Sequence, residues 1–462
     1  RDSGRESETD RSARTLREVD GLMQFDEALR YLLSLGHETL AIKLGLRNIT
    51  LLLERLGNPQ LGYFVVQLAG TNGKGSTARM LESICRTAGH TIGLFTSPHL
   101  VSITERIVIN GNEIEPRTFA EHATRVRTAA ETLLDEGLIE AVPSFFEQVT
   151  ATALLAFQSA EVELVILETG LGGRLDATTA AGAKLVGITP IAMDHEEYLG
   201  QTLAEVASEK AAIIQPGVTA VIAPQETEAM RVIAARAEAC GVLPSINEIE
   251  TRIESFSATG HANVSFLTKA DSYYNVILGM RGRHQVTNAS LAIRLAEAIR
   301  NLGFEIRREA VVQGLQTAIH RGRLDLFEGH PNLLLDGAHN PSGTQSLRNY
   351  LDEFGTGPIT LVFGAMRDKR LDEMARILFP AAQNLVFTEI DNPRAASSDS
   401  LRLLAQSIGS SAAVFCTKSI SEAMIRAREV TPLDGLICIS GSLYLVGEYL
   451  SLASSEAMKQ GC

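Results

Sequence analysis

The chain has 462 residues, 45% of them hydrophobic and 21% charged, with a formal net charge of −13. That length exceeds one typical core, so two or three domains are expected, and no run approaches the roughly 18 uninterrupted apolar residues of a membrane-spanning helix. The negative balance argues against a nucleic-acid surface and requires local positive charge wherever an anionic substrate is held.

Taken in order, Arg1–Asp20 is charged without an apolar centre and is expected to be a disordered leader, not a secretory signal. Five cysteines, at 85, 240, 416, 438 and 462, show no C-x-x-C spacing, and reduced thiols in a cytoplasm account for them. Phe25–Leu35 and Asn48–Leu56 have the spacing of amphipathic helices, and Gly57-Asn58-Pro59 stops the second. The apolar run from Gly62 to Gln67 predicts a strand. It leads into Gly70-Thr71-Asn72-Gly73-Lys74-Gly75-Ser76-Thr77, after which Met80, Leu81, Ile84 and Cys85 recur at helical spacing. A glycine-rich turn between strand and helix aims backbone N–H groups and the positive helix end at one spot, which suits a phosphate. Lys74 can reach terminal phosphates there, and Ser76 or Thr77 can offer a hydroxyl to a metal ion. The competing explanation is an ordinary tight turn.

Ile92–Phe95 predicts a second strand and places Ser97 just past its end, where ligands collect in open α/β sheets. A plain turn serine fits the same pattern. Ile103–Asn110 runs into Asn110-Gly111, a hairpin signal. Ser144 and Glu147 form a capping box opening a helix to about Ala160, with Phe145 and Phe146 core by default. Val162–Leu167 reads as a buried strand ending in Glu168, the place of a metal-holding acid in a chain with a phosphate loop. Lys184–Ile191 is the next strand, closed by Asp194-His195. Thr202 and Glu205 cap the helix after it, and Pro216-Gly217 are expected to end it. Lys210 falls on its apolar face among Leu203, Val206, Ala207, Ala211 and Ile214. A lysine so placed must snorkel, pair, deprotonate or be modified.

Val218–Ala223 and a helix from Glu226 to Cys240 extend the alternation, and residues 249–280 read as an antiparallel patch. Helices follow Gly282–Ala289 and start again near Arg308. Around Ile319–Asp325 the pattern restarts, so domains over 21–318 and 319–462 are expected. Strand candidates at Asn332–Leu335, Ile359–Phe363, Asn384–Thr388, Ala413–Cys416 and Leu436–Ile439 predict a parallel sheet covered on both faces.

In this order, GTNGKGST (70–77), TSPHLVSITERIVING (96–111), SFFE (144–147), ETGLGGRLDAT (168–178), MDHEEYLGQTL (193–203), SEKAAII (208–214), GRHQVTNA (282–289), RGRLD (321–325), DGAHNP (336–341) and SGSLYLVGE (440–448) resemble the folylpolyglutamate synthase/dihydrofolate synthase family of Mur-type ATP-dependent amide ligases. The resemblance implies an α/β fold with an N-terminal P-loop ATPase domain on a mostly parallel sheet and a smaller Rossmann-like C-terminal domain. It implies that ATP converts a carboxylate of dihydropteroate or a reduced folate into an acyl phosphate, which the amine of L-glutamate then attacks. By motif, Gly73, Lys74, Gly75 and Ser76 match the phosphate cradle. Ser97, Glu168 and His195 match ligands of Mg²⁺, with two ions expected. Lys210 matches the lysine that the family carbamylates, which would turn a cation into a carboxylate-like ligand. Asn288, Arg323 and Asp336 match nucleotide-contacting positions, and register favours Arg323 over Arg321. Ser144, Phe145, Phe146 and Glu147, with Arg174, Leu175 and Asp176, match the stretches that bind the pterin end. His339 is expected near the nucleotide or the acyl phosphate, which makes Lys74, His195, Lys210 and His339 the candidate catalytic set. The expected partners are small molecules alone, without nucleic acid or membrane, and the chain is expected to be a cytoplasmic monomer. One alternative, a cell-wall peptide ligase, calls for a further N-terminal domain where 69 residues precede Gly70. The other, a P-loop switch without ligation, gives His195, Lys210 and Asp336 no task.

Overall fold

The first sheet is built from β1 (Phe64–Ala69), β2 (Ile92–Phe95), β3 (Ile107–Ile109), β4 (Asn112–Glu113), β5 (Leu164–Glu168), β6 (Leu185–Ile188), β7 (Thr219–Ile222) and β8 (Ser245–Ile246), in the order β4-β3-β2-β5-β1-β6-β7-β8. The computed structural model describes residues 22–36, 45–246 and 249–460. The leader expected over residues 1–20 and Cys462 lie outside them. From β2 to β8 all neighbours are parallel, and the central strands are buried on both faces, as apolar runs without alternation require. The β3–β4 hairpin adds an antiparallel edge, its Asn110-Gly111 turn having both φ angles positive (51° and 83°).

Helices α1 (Phe25–Ser34), α2 (Arg47–Arg55), α3 (Lys74–Thr87), α4 (Pro116–Asp135), α5 (Phe145–Ser159), α6 (Glu196–Leu199), α7 (Leu203–Ala211), α8 (Thr227–Ala239), α9 (His284–Asn301) and α10 (Arg308–Thr317) surround this sheet. α1, α2, α4 and α5 share one core on one face, through Leu32, Leu52, Phe119 and Leu154. α3, α9 and α10 share the other with a small antiparallel sheet of β9 (Ile249–Phe256), β10 (His261–Thr268) and β11 (Ser272–Arg281). Several details differ from the sequence expectations: α9 starts at His284, inside the Gly282–Ala289 stretch expected to precede its helix, and β8 was not expected. α4 is not among the expected elements, and α7 stops at Ala211, with Ile214 packed beyond its end rather than within it.

The second sheet has the order β12 (Asp325–Phe327), β13 (Asn332–Leu335), β17 (Leu436–Ser440), β14 (Ile359–Phe363), β15 (Asn384–Phe387), β16 (Ala413–Cys416). Five strands are parallel, and β12 joins as an antiparallel edge that the sequence did not announce. Helices α11 (Pro341–Phe354), α12 (Leu371–Leu378) and α13 (Ser398–Ser407) cover one face, and α14 (Ile420–Val430) and α15 (Leu443–Gln460) the other. Among the described residues no helix is long and apolar enough to cross a membrane, and Cys85, Cys240, Cys416 and Cys438 are free thiols.

Carboxyl ends of parallel strands are where open α/β sheets gather ligands. In the first lobe those ends carry the phosphate loop (after β1), Ser97 (after β2), Glu168 (on β5) and Asp194 (after β6). In the second they carry Asp336 (after β13), Lys369 (after β14), Arg394 (after β15) and Ser442 (after β17). The two sets of ends face each other across one cleft.

Candidate active site

Gly73 caps α3 at φ 89°, a conformation that residues with a Cβ rarely adopt. A Cβ there would also collide with Asn288 Oδ1 from α9, so a bare backbone is needed on two counts. Lys74 folds back over the loop, its Nζ donating to Gly70 O at 3.1 Å and Thr71 O at 3.3 Å. Lys210 arrives from α7, is only 4% exposed, and donates to the same Gly70 O at 2.9 Å. Burial first, then the neighbouring Lys74, pull its pKa from 10.5 down to about 7. A free amine is therefore populated at neutral pH. Of the two loop hydroxyls, Ser76 lines the cavity, whereas Thr77 Oγ1 is fully buried without a partner.

Ser97 N donates to Glu168 Oε2 at 3.3 Å. Burial raises the Glu168 carboxyl above its ordinary range against the pull of Lys74, the Ser97 amide, Arg323 and Arg79. Asp194 is the opposite case. Burial acts on it in the same upward sense, but the positive charge around it, with the Lys369 ammonium bonded to Oδ1, outweighs it and holds the carboxyl well below the usual range. His195, at φ 51°, donates its backbone N–H to Asp194 Oδ1 at 2.9 Å. Burial lowers its imidazole to about 3 despite the attraction of Asp194, leaving a neutral ring at the cleft.

Asp194 also receives two groups from the other lobe: Lys369 Nζ donates to Oδ1 at 2.8 Å and Asn340 Nδ2 to Oδ2 at 2.9 Å. Asn340 exchanges amide hydrogen bonds with Asn72 of the phosphate loop (3.1 and 3.3 Å) while its Oδ1 caps α11 through Gly343 N at 2.8 Å. His339 Nδ1 lies 2.8 Å from Gly337 O and Nε2 lies 3.7 Å from Asp194 Oδ2; burial lowers this imidazole to about 4. Asp336 accepts from Leu324 N (2.9 Å) and Ala338 N (3.0 Å), so it braces the interlobe segment beside Arg323.

Gly73, Lys74, Gly75, Ser76, Ser97, Glu168, His195, Lys210, Asn288, Arg323, Asp336 and His339 thus line a single cavity. Arg321 is exposed and outside it. Ser97, Glu168 and His195 present an alcohol, a carboxylate and a neutral imidazole, a mixed donor set that a hard divalent cation accepts. Among the described residues no three His, Cys, Asp or Glu side chains gather into a metal-holding group, so a cation here would depend on Ser97 and a modified Lys210 as well.

A second cavity, of about 210 Å³, joins the first through Ser97, Gly170, Leu171, His195, His339 and Leu443. Ser144, Phe146, Glu147, Arg174, Leu175 and Asp176 line it. Phe145 does not. Its ring lies 5.4 Å from the Arg106 guanidinium in the core, because successive residues at the start of a helix point in different directions. Asp176 accepts from Gly170 N, Leu171 N, Thr178 N and Thr178 Oγ1 at 2.5–3.0 Å, so its oxygens brace the loop after β5. Arg174 is paired with Glu209 at 2.9 Å. Glu147 differs: Oε2 accepts from Ser144 N (2.8 Å) and Oγ (2.7 Å), while buried Oε1 closes no hydrogen bond. Burial raises this carboxyl, the Ser144 contacts opposing it.

Lys369, Gln285 and His320 line these cavities, and Asn340 stands beside Asp194 at their edge, without having been singled out from the sequence. Asn340 lies inside DGAHNP and Lys369 in a charged run after a strand, so position relative to strand ends was an available signal for both.

Residues 68–296 match the Mur ligase middle domain, and residues 322–443 the Mur ligase glutamate ligase domain. A Haloferax volcanii protein, "Probable bifunctional folylpolyglutamate synthase/dihydropteroate synthase", is 34% identical over 92% of this chain and 50% of its own length, so the chain spans about half of that relative. A Bacillus subtilis dihydrofolate synthase/folylpolyglutamate synthase is 33% identical over 89% of this chain and 96% of its own length. The structure of E. coli FolC in complex with DHPP and ADP superposes with a TM-score of 0.83 at 28% identity, covering 94% of this chain and 99% of that one. With the same two domains in the same order and the motifs on the strand ends of one cleft, the chain belongs to the folylpolyglutamate synthase/dihydrofolate synthase family of Mur ligases.

Proposed function

We propose that the chain is an ATP-dependent ligase that joins L-glutamate to the carboxylate of a folate-type acid, dihydropteroate or a reduced folate, through an acyl phosphate. The observation that carries this is the junction of the two cavities: the phosphate loop and the acceptor cavity open onto the same spot, at Ser97, His195 and His339. A carboxylate is a poor electrophile and an oxide a poor leaving group, so phosphorylation must precede amide formation. In the first step an acceptor carboxylate oxygen attacks the γ-phosphorus and the bond to ADP breaks. In the second the glutamate amine attacks the acyl carbon, phosphate departs, and the amine gives up a proton. Lys74, the loop amides and Arg323 orient the triphosphate and offset its charge. Ser97, Glu168, His195 and carbamylated Lys210 would hold magnesium, which when bound supplies positive charge to the transferring group. Glu147 and Phe146 would seat the pterin, and Lys369 and Arg394 face the cavity from the second lobe, where glutamate carboxylates need cations. The proposal includes a division of labour between residues 21–318 and 319–462 and a monomer working in a reducing cytoplasm, to which the free thiols are suited.

The test is phosphate release with ATP, Mg²⁺, L-glutamate and either dihydropteroate or tetrahydrofolate. Release that requires both glutamate and the acid is expected; release indifferent to them sinks the proposal. Comparing the two acids decides whether one or both are substrates.

A further inference from the structure

His320 stands between α10 and β12, outside the sequence positions given a role above. Its Nδ1 lies 3.1 Å from Ser76 Oγ. The ring packs on the first turn of α3 so closely that a Cβ on Gly75 would meet His320 Cε1 at 2.8 Å and Glu168 Oε2 at 3.2 Å. On its other side Ser76 Oγ faces Gln285 Nε2 at a long 3.5 Å. The orientation of that amide is fixed, since Asn288 Nδ2 donates to Gln285 Oε1 at 2.8 Å and Gln285 Nε2 lies 3.2 Å from His284 Nε2. An amide NH₂ only donates. Gln285 therefore gives its protons to Ser76 Oγ and His284 Nε2, and with His320 carrying its proton on Nε2, Ser76 gives its single proton to His320 Nδ1. Both rings can accept, because burial and then Arg323 push His284 and His320 below the ordinary histidine range.

We propose that His320 is a positioning residue for the phosphate-loop hydroxyl: by taking the Ser76 proton it turns the remaining oxygen lone pair toward the cavity, where the nucleotide phosphates and their cation are bound. The proposal rests on the nucleotide site described above and adds a residue to it. A hydroxyl free to rotate would present its proton to a cation part of the time; one held between Gln285 and His320 cannot. The same short segment carries Arg323 into the cavity three residues later. One stretch between the lobes thus orients a hydroxyl and delivers a guanidinium.

A double-mutant cycle on the full chain tests this, using the affinity for a fluorescent ATP analogue with Mg²⁺ and the affinity of the nucleotide complex for Mn²⁺ read by electron paramagnetic resonance. His320→Ala is expected to weaken both about 10-fold, the worth of one hydrogen bond to a site that needs it. In a Ser76→Ala background the same change should cost less than about 2-fold, since the coupling has been removed. His320→Asn, whose Oδ1 reaches the place of Nδ1, should restore binding, and His320→Gln, whose amide reaches the place of Nε2, should not. Melting curves identify any variant that loses affinity by unfolding, and the Asn–Gln comparison then carries the test. An equal loss in both backgrounds, or rescue by glutamine and not asparagine, overturns the positioning role. A wild-type chain that binds no nucleotide overturns the nucleotide site itself.

Discussion

Asp194→Asn asks whether the two lobes close on one buried carboxylate. Asp194 is 8% exposed; Oδ1 accepts from Lys369 Nζ and His195 N, and Oδ2 from Asn340 Nδ2. Asparagine offers one oxygen and one NH₂. With the oxygen toward Lys369, the NH₂ confronts the donor on Asn340; turned around, it confronts the ammonium. Either way one interlobe hydrogen bond is lost, and Lys369, whose side chain is 9% exposed, keeps its charge without a counter-ion. Breaking a buried pair from one side costs about 3–5 kcal/mol. One surviving hydrogen bond to a charged group returns part of that, leaving about 3 kcal/mol, or roughly 100-fold in the ratio of closed to open molecules. Glutamate-dependent phosphate release should fall in kcat/KM by up to that factor, the full amount being reached where the open form comes to dominate. Pulsed electron paramagnetic resonance between spin labels on α8 and α13 should report a larger open population, as it should for Lys369→Met. Lost activity with lobes still closed would mean that the carboxylate acts through His195 alone, and full activity would refute the clasp altogether.

Glu168→Gln should remove nearly all Mg²⁺-dependent turnover, by about 100-fold or more, while the melting temperature stays level or rises, because the ionised carboxyl is disfavoured by burial; a matched loss of melting temperature and activity assigns Glu168 to the scaffold instead. Lys210→Ala should abolish turnover with the fold intact and be partly rescued by short carboxylic acids, and a plain ammonium at Lys210 in a nucleotide-bound, metal-loaded crystal at neutral pH would count against the carbamate. Glu147→Gln should raise the KM for the folate-type acid by about 10-fold at unchanged stability, since an amide keeps one oxygen for Ser144 but removes the carboxylate from the cavity wall; an unchanged KM would place the pterin elsewhere.

What the sequence made legible is what is contiguous along it. The phosphate loop, the capping boxes at Ser144 and Thr202 and the strand ends at Ser97, Glu168 and Asp336 each depend on residues within a few positions of one another, and all are found where expected. The Asn110-Gly111 turn is another case. α4 was legible too: Pro116 at its first position and Phe119, Ala120, Ala123, Val126, Ala130 and Leu133 at helical spacing are its signal. Three residues forming β12 carry too little pattern to be seen. The clasp is different in kind, because Asp194 meets Asn340 across 146 positions and Lys369 across 175, and Asn72 meets Asn340 across 268. Nothing local marks such pairs. Phe145 and Asp176 show the converse, where a motif was legible but the division of its residues between scaffold and cavity was not. That division follows from side-chain direction and hydrogen-bond satisfaction, which only the folded chain has.

Hydrogen-bond satisfaction also separates the three acids that end strands in this cleft. Asp194 accepts from an ammonium, an amide side chain and a backbone N–H, and Asp336 accepts two backbone N–H groups while Arg323 stands beside it. Each is committed to joining chain segments: Asp194 ties the two lobes together, and Asp336 ties the stretch at Leu324 to the turn after β13. Glu168 accepts one long hydrogen bond, from Ser97 N at 3.3 Å, among the described residues, yet it is as buried as the other two. A carboxylate taken from water and given so little in return costs several kcal/mol unless something charged completes its surroundings. Lys74 and Arg323 are near enough to act through space but make no hydrogen bond to it. On the function proposed above, the acid left short of partners beside the phosphate loop, in a chain of net charge −13, is the one a divalent cation would serve, while Asp194 ties the lobes together and Asp336 braces the segment beside Arg323.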